Sequence, residues 1–75
     1  MKVKEVTYTI SYKEFEEGEV VTPDHEYKGL KSGERYMVSR FIPPELPFDL
    51  YAIALVLLDG QEVEIPSDYL EEVEA

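Results

Sequence analysis

The stretch EIPSDYLEEV, residues 64–73, decides the fold class of this chain. Pro66 has no backbone N–H and cannot donate to a sheet ladder, so it marks the end of a strand. Residues 67–69 then predict a tight turn of the 3₁₀ type, and residues 70–73 predict a last short strand. A strand, a turn and a closing strand in such quick succession are typical of a small all-β domain.

The dipeptide Asp59-Gly60 is the strongest local signal in the chain. Asp-Gly between two apolar-rich runs predicts a two-residue type I′ hairpin, because both central residues of that turn have positive φ. The returning strand, residues 61–66, alternates apolar and polar residues. Val63 and Ile65 are therefore predicted to point inward, with the glutamates between them pointing outward.

Residues 50–58, LYAIALVLL, are apolar on both faces of the strand that they predict. The two faces divide the run into Tyr51, Ile53, Leu55 and Leu57 on one side and Leu50, Ala52, Ala54, Val56 and Leu58 on the other. Because a small barrel has one interior, the outer of these faces requires a cover. A strand predicted for residues 6–12 is one candidate and a second chain is the other, and cover within the chain is favoured.

The rest of the chain also predicts short strands separated by turns. Residues 6–12 alternate polar and apolar residues, as one half-buried strand does. In a later strand Tyr36 and Val38 are predicted to share one face, with Met37 and Phe41 on the other. No segment has a helical period over ten residues. We therefore expect all 75 residues to form one all-β domain, a small barrel or sandwich of five to six short strands.

The charge of the chain is strongly acidic and unevenly distributed. Seventeen acidic residues against seven basic ones give a formal net charge of −10, and nine acids but no Lys or Arg follow Arg40. Such a surface repels nucleic-acid phosphates and anionic membranes, so direct binding to either is not expected. The acids serve either to keep a small domain soluble or to meet a basic patch on a partner protein.

No set of residues predicts catalysis, and neither a cofactor nor a metal is expected. The chain has no Cys, which excludes disulfides and thiolate chemistry. The only histidine, His25, lies between Asp24 and Glu26, and neighbours in a strand point to opposite faces, so the three side chains do not converge. We expect His25 to be a solvent-exposed turn residue with no adjacent nucleophile. The expected location is the cytoplasm, with which the absence of Cys is compatible.

Residues 43–47, PPELP, are predicted to form an exposed loop of extended, polyproline-like character, because prolines cannot donate to a ladder. Rigid prolines reduce the entropy lost on binding, so Leu46, Phe48 and Tyr51 offer an apolar anchor to a partner. The alternative is a loop whose Phe48 folds back onto the rim of the barrel.

Several motifs, taken in order, resemble the SH3-like barrel superfamily over roughly residues 15–73. The motifs are Gly18-Glu19-Val20-Val21, Leu30-x-x-Gly33-Glu34-x-Tyr36-x-Val38, Asp59-Gly60 and Pro66-Ser67-Asp68-Tyr69-Leu70. The last of them is similar to the Pro-Ser-Asn-Tyr-Val segment that closes eukaryotic SH3 domains. The order of the motifs is also similar to small SH3-like proteins of phages and prophages. The resemblance implies a small SH3-like barrel of five to six short strands with an additional N-terminal strand.

The resemblance does not extend to the groove in which SH3 domains bind proline-rich peptides. That groove uses an Ala-Leu-Tyr-Asp-Tyr strand and a Trp pair, and this chain has no Trp. Only Pro66 and Tyr69 carry over from it. The acids within residues 14–19 fall where a peptide-binding SH3 domain keeps carboxylates for a ligand Arg, although a solvated loop is the favoured interpretation. We do not expect binding to PxxP peptides.

These features favour a non-enzymatic protein–protein interaction module, of the kind that a phage or mobile element encodes as an accessory protein to bind a larger protein. The expected partner is a protein with a basic or mixed basic and apolar patch, and a homodimer is possible. The alternative is an acidic inhibitor that mimics nucleic acid and blocks a DNA- or RNA-binding defence protein. The candidate partner-binding residues are Asp59, Glu62, Glu64, Asp68, Leu46, Phe48, Tyr51, Pro66 and Tyr69.

Overall fold

Seven short strands and one 3₁₀ helix make up the secondary structure of the described residues, so the all-β prediction is confirmed. The computed structural model describes residues 1–7, 10–45 and 51–73. No helix in this described part of the chain has the length and apolarity to cross a membrane. In chain order the elements are β1 (Lys2–Thr7), β2 (Ile10–Glu14), β3 (Val20–Pro23), β4 (Tyr36–Ile42), β5 (Ile53–Leu58), β6 (Gln61–Pro66), the 3₁₀ helix η1 (Ser67–Tyr69) and β7 (Leu70–Glu72).

The strands form a five-stranded sheet and a separate two-stranded sheet. The larger sheet has the order β6-β5-β4-β3-β7, and the smaller one pairs β1 with β2. All of the pairings are antiparallel. The larger sheet is open, with β6 and β7 as its two edges.

The β5–β6 hairpin follows the sequence pattern closely. Asp59 has φ 51° and Gly60 has φ 79°, and Leu58 pairs with Gln61 across them, so the predicted type I′ turn is confirmed. Hydrogen-bonded and non-hydrogen-bonded pairs alternate away from such a turn, and Pro66 falls on a non-hydrogen-bonded pair opposite Ile53. The missing N–H of Pro66 therefore costs the ladder nothing.

The core lies on the inner face of the larger sheet. The two faces of β5 divide as predicted, because Ala54 and Val56 belong to the core cluster, whereas on the opposite face Leu57 is 37% exposed and Leu55 is 6% exposed. Other strands and loops contribute the remaining buried core residues, which are Phe15, Val21, Leu30, Val38, Ile65 and Leu70.

One predicted face assignment in β4 is wrong because the strand contains a β-bulge. Val38 pairs with Val56 and Arg40 pairs with Leu55, so one extra residue lies between them on β4. The extra residue reverses the alternation. Phe41 therefore packs against the core on the same side as Val38, and not on the side of exposed Met37.

The N-terminal segment forms a hairpin instead of the single strand predicted for residues 6–12. β1 pairs with β2, with Lys2 opposite Glu14 and Thr7 opposite Ile10. The two residues between these strands, 8 and 9, lie outside the described residues. Thr and Tyr favour strands, and no Gly, Pro, Asn or Asp marks a turn in this segment.

The hairpin contacts the inner side of the larger sheet, so it is not the outer cover that the sequence favoured. The ring of Tyr12 stacks on Phe41 with centroids 6.1 Å apart, and Phe41 faces the core. The ammonium of Lys13 donates to the backbone oxygen of Leu70 at 3.0 Å. Phe15, directly after β2, is 2% exposed. The described contacts of β2 therefore lie on the inner face of the sheet.

A second anchor of the hairpin is the ammonium group of Met1. It donates to Glu19 Oε2 at 3.0 Å and to Glu72 Oε1 at 3.3 Å. The hydrogen bond to Glu19, followed by that to Glu72, raises the pKa of the Met1 amino group despite some desolvation. The charged ammonium group thus links the start of β1 to Glu19, directly before β3, and to Glu72 at the end of β7.

Ser67 is a buried polar residue whose side chain is unsatisfied. Its backbone N–H donates to the oxygen of Ala52 at 2.9 Å, but its hydroxyl has no hydrogen-bond partner among the described residues. We expect Ser67→Ala to raise the free energy of unfolding by about 1 kcal/mol, because the desolvated hydroxyl is removed and the backbone bond is kept. Urea denaturation measures this, with Ser32→Ala at an exposed turn as the control. A lower midpoint for Ser67→Ala would show that the hydroxyl is satisfied.

Candidate functional site

The pairing of β3 with β7 brings together two segments that are far apart in the sequence. Pro23 lies opposite Leu70, so the residues that follow Pro23 meet the residues that precede Leu70. The backbone N–H of Asp24 donates to the oxygen of Tyr69 at 2.8 Å. The start of the β3–β4 loop is thereby fixed against η1.

A second tight turn orders the middle of the β3–β4 loop. Tyr27 and Leu30 exchange two backbone hydrogen bonds, of 2.9 and 2.8 Å. Lys28 has φ 47° and Gly29 has φ 86°, the two positive values of a type I′ turn. Leu30 is fully buried, so it anchors this turn in the core. The turn holds Tyr27 at the surface beside η1.

Three rings meet at this place, and we call His25, Tyr27 and Tyr69 the aromatic cluster. The centroids of His25 and Tyr69 are 4.8 Å apart, and those of Tyr27 and Tyr69 are 5.6 Å apart, both with edge-to-face geometry. His25 also meets Tyr27 edge-on at 6.2 Å. Tyr69 is 37% exposed and His25 is exposed, so the cluster presents aromatic surface to solvent.

Acidic side chains surround the aromatic cluster, and one cation already contacts it. Exposed acids flank its members along the chain: Asp24, Glu26, Asp68 and Glu71. The Nδ1 atom of His25 lies 2.5 Å from Asp24 Oδ1. The ammonium of Lys28 lies 5.4 Å from the centroid of the Tyr27 ring, within the range of a cation–π interaction. This surface combines ring faces with negative charge, which suits a Lys or Arg side chain.

Three of the sequence-predicted site residues lie in or beside the aromatic cluster. Tyr69 is one of its members and Asp68 precedes it in η1. Pro66 ends β6 directly before η1 and is half-buried. His25 and Tyr27 were missed, and His25 was expected to be a plain turn residue. His25 and Tyr27 are two residues apart, which is the one signal in the sequence that could have grouped their rings. The contact of both rings with Tyr69 depends on the pairing of β3 with β7.

The acids predicted on the β5–β6 hairpin lie elsewhere. Asp59 is in the turn, and Glu62 and Glu64 point outward from β6, as predicted. Glu62 is engaged, because its Oε2 atom lies 2.7 Å from the Ser39 hydroxyl. Glu64 pairs in register with Leu55 and is exposed. These acids therefore form a surface of their own.

The predicted anchor around the proline loop is only partly described. Leu46 and Phe48 lie outside the described residues. Tyr51 is 52% exposed, and Pro43 is exposed in an irregular segment after β4.

Across residues 1–7, 10–45 and 51–73, no group of three or more His, Asp or Glu side chains is placed to hold a metal ion. No family model matches this chain, and comparisons with the curated proteins and with the solved structures found no match.

Proposed function

We propose that this chain is a non-enzymatic protein–protein interaction domain with an SH3-like barrel fold, and that it binds a basic segment of a larger protein at the aromatic cluster. The observation that carries the proposal is the Lys28 ammonium held 5.4 Å from the Tyr27 ring in an acidic surface. The succession of β6, η1 and β7 supports the SH3-like assignment, because a strand, a short turn and a closing strand follow the Pro-Ser-polar-Tyr motif. A phage or mobile-element accessory protein acting in the cytoplasm fits this proposal.

The physical basis of binding is cation–π attraction reinforced by the surrounding carboxylates. A Lys or Arg side chain of the partner packs on the exposed face of Tyr69, and its charge is balanced by Asp68 and Asp24. The net charge of −10 steers a basic segment toward the domain and raises the association rate at low salt. Apolar side chains of the partner cover the rest of the rings.

The test is a displayed library of dodecamer peptides that includes basic, mixed basic–apolar and PxxP sequences. We expect the domain to enrich basic–apolar peptides, and Tyr69→Leu to weaken their binding about tenfold, roughly 1.4 kcal/mol, because the ring face is lost without any change of net charge. Tyr69→Phe keeps the ring and is the matched control. Isothermal titration calorimetry of one enriched peptide gives the affinities.

Other outcomes separate the rival functions. Enrichment of PxxP peptides that depends on Tyr69 would show that the proline-binding groove is retained. Binding weakened by Tyr51→Leu and unaffected by Tyr69→Leu would place the site at the proline loop. Nucleic-acid mimicry predicts that reversing Glu62 and Glu64 to Lys abolishes binding to a DNA-binding protein while Tyr69→Leu has no effect. The first result would contradict the proposed ligand, and the other two would contradict the proposed site.

A further inference from the structure

The outer face of the larger sheet exposes apolar side chains in register across neighbouring strands. Met37 is 49% exposed, Ile42 44%, Val20 38% and Leu57 37%. Val20 pairs with Met37, and Ile42 pairs with Ile53. We call this the outer apolar face, and it comprises Val20, Met37, Ile42, Ile53 and Leu57. Leu55 lies on the same side of β5 but is only 6% exposed. It is separate from the aromatic cluster, which lies at the β3–β4 loop and η1.

One basic side chain and one acidic side chain flank the middle of this face. Arg40 on β4 lies opposite Leu55 on β5, and Leu55 lies opposite Glu64 on β6. With neighbouring strands about 4.8 Å apart, the basic and acidic positions are separated by about 10 Å, one on each side of Leu55. Arg40 and Glu64 are both exposed, and neither forms a salt bridge among the described residues. The row thus exposes a positive side chain and a negative side chain, one on each side of the buried Leu55.

We infer that a second copy of this chain packs on the outer apolar face, with a two-fold axis parallel to β5. Such an axis lies between the larger sheets of the two copies. It places β4 of each copy opposite β6 of the other. Arg40 of each copy is then opposite Glu64 of the other, and the exposed Leu57 meets its own counterpart. A two-fold axis across the strands would place Arg40 against Arg40, so the charges select the first arrangement. Face-to-face sheets pack about 10 Å apart, which brings the paired charges within reach.

The two outward acids of β6 differ in whether they have a hydrogen-bond partner among the described residues. Ser39 lies within 2.7 Å of Glu62 and 3.1 Å of the backbone oxygen of Leu55, so Glu62 is held on its own sheet. Glu64 is the outward acid that remains for Arg40 of the second copy. Because each copy carries a net charge of −10, their overall repulsion weakens as salt screens it. Self-association should therefore strengthen with salt, opposite to binding of a basic partner.

Sedimentation equilibrium of the full chain tests the inference through a charge swap. We expect the wild type to dimerise, and Arg40→Glu or Glu64→Arg alone to weaken the dimer at least about tenfold, since each places like charges opposite one another. The double variant Arg40→Glu/Glu64→Arg restores both pairs and should regain most of the wild-type affinity. Arg35→Glu and Glu34→Arg, at adjacent exposed positions before β4, make the same charge changes outside the strands of this face and are the matched controls.

Glu64→Arg is the stricter test of the two single variants. It reduces the net charge of each copy from −10 to −8, which by itself lowers the repulsion between copies and favours a dimer. A weaker dimer in spite of that change supports the specific pair. Leu57→Asp should abolish the dimer while circular dichroism shows an intact fold, because Leu57 lies outside the core. A wild type that stays monomeric up to about 1 mM, or a double variant that remains as weak as the singles, would overturn the inference.

Discussion

Replacing Phe15 by Ala is expected to unfold the domain or to bring it close to unfolding. The side chain is 2% exposed and belongs to the core. Truncation of a buried Phe to Ala costs about 3–5 kcal/mol, because contacts are lost and a cavity remains. A domain of this size has a total stability of roughly 5 kcal/mol, so the loss is comparable to all of it. Urea denaturation followed by circular dichroism measures the change.

Two further variants make the Phe15 result interpretable. Phe15→Leu keeps most of the volume and should cost clearly less than Phe15→Ala. Val3→Ala on β1 removes an exposed side chain and should change the free energy of unfolding by no more than about 0.5 kcal/mol. If Phe15→Ala were as stable as Val3→Ala, the residue after β2 would not be packed in the core.

Substitution of Gly60 by Val is expected to be the next most damaging change, at about 2 kcal/mol. Gly60 has φ 79°, a conformation that L-residues avoid and β-branched residues avoid most strongly. A Cβ added at this glycine would meet no atom within 4 Å, so the cost comes from the backbone and not from a clash. The denaturation midpoint in urea reports it.

Gly60→Asn separates the backbone effect from a general effect of any side chain. Asn tolerates positive φ and is common in type I′ turns, so this variant should remain close to the wild type. Equal midpoints for Gly60→Val and the wild type would mean that the hairpin does not require this turn in solution.

The features that could be predicted from the sequence are local ones. The Asp59-Gly60 turn, the alternation of β6 and the division of β5 into two apolar faces each follow from neighbouring residues, and the structure confirms them. In the candidate site, Tyr69 and Asp68 were identified through the motif that precedes β7. These elements carry their own signals in turn chemistry and period-two patterning.

The features that were missed depend on contacts between distant segments or on a local irregularity. The bulge between Val38 and Arg40 reverses the face of Phe41, and the sequence of β4 contains no Gly to mark it. The aromatic cluster forms because β3 pairs with β7, which no local pattern specifies. The β1–β2 hairpin turns without Gly, Pro, Asn or Asp.

β7 is three residues long, lies at one edge of the larger sheet and pairs with β3 alone. The pairing of β7 with β3 forms only a few hydrogen bonds, yet it requires the ends of a long loop to come together. The β5–β6 hairpin, by contrast, closes a loop of only two residues. We therefore expect β7 to be among the last strands to dock during folding and among the first to detach in local opening. Detachment separates Tyr69 from His25 and Tyr27 and removes the aromatic cluster. A ligand of this cluster would bind only the docked conformation, so its affinity would include the free energy of docking β7.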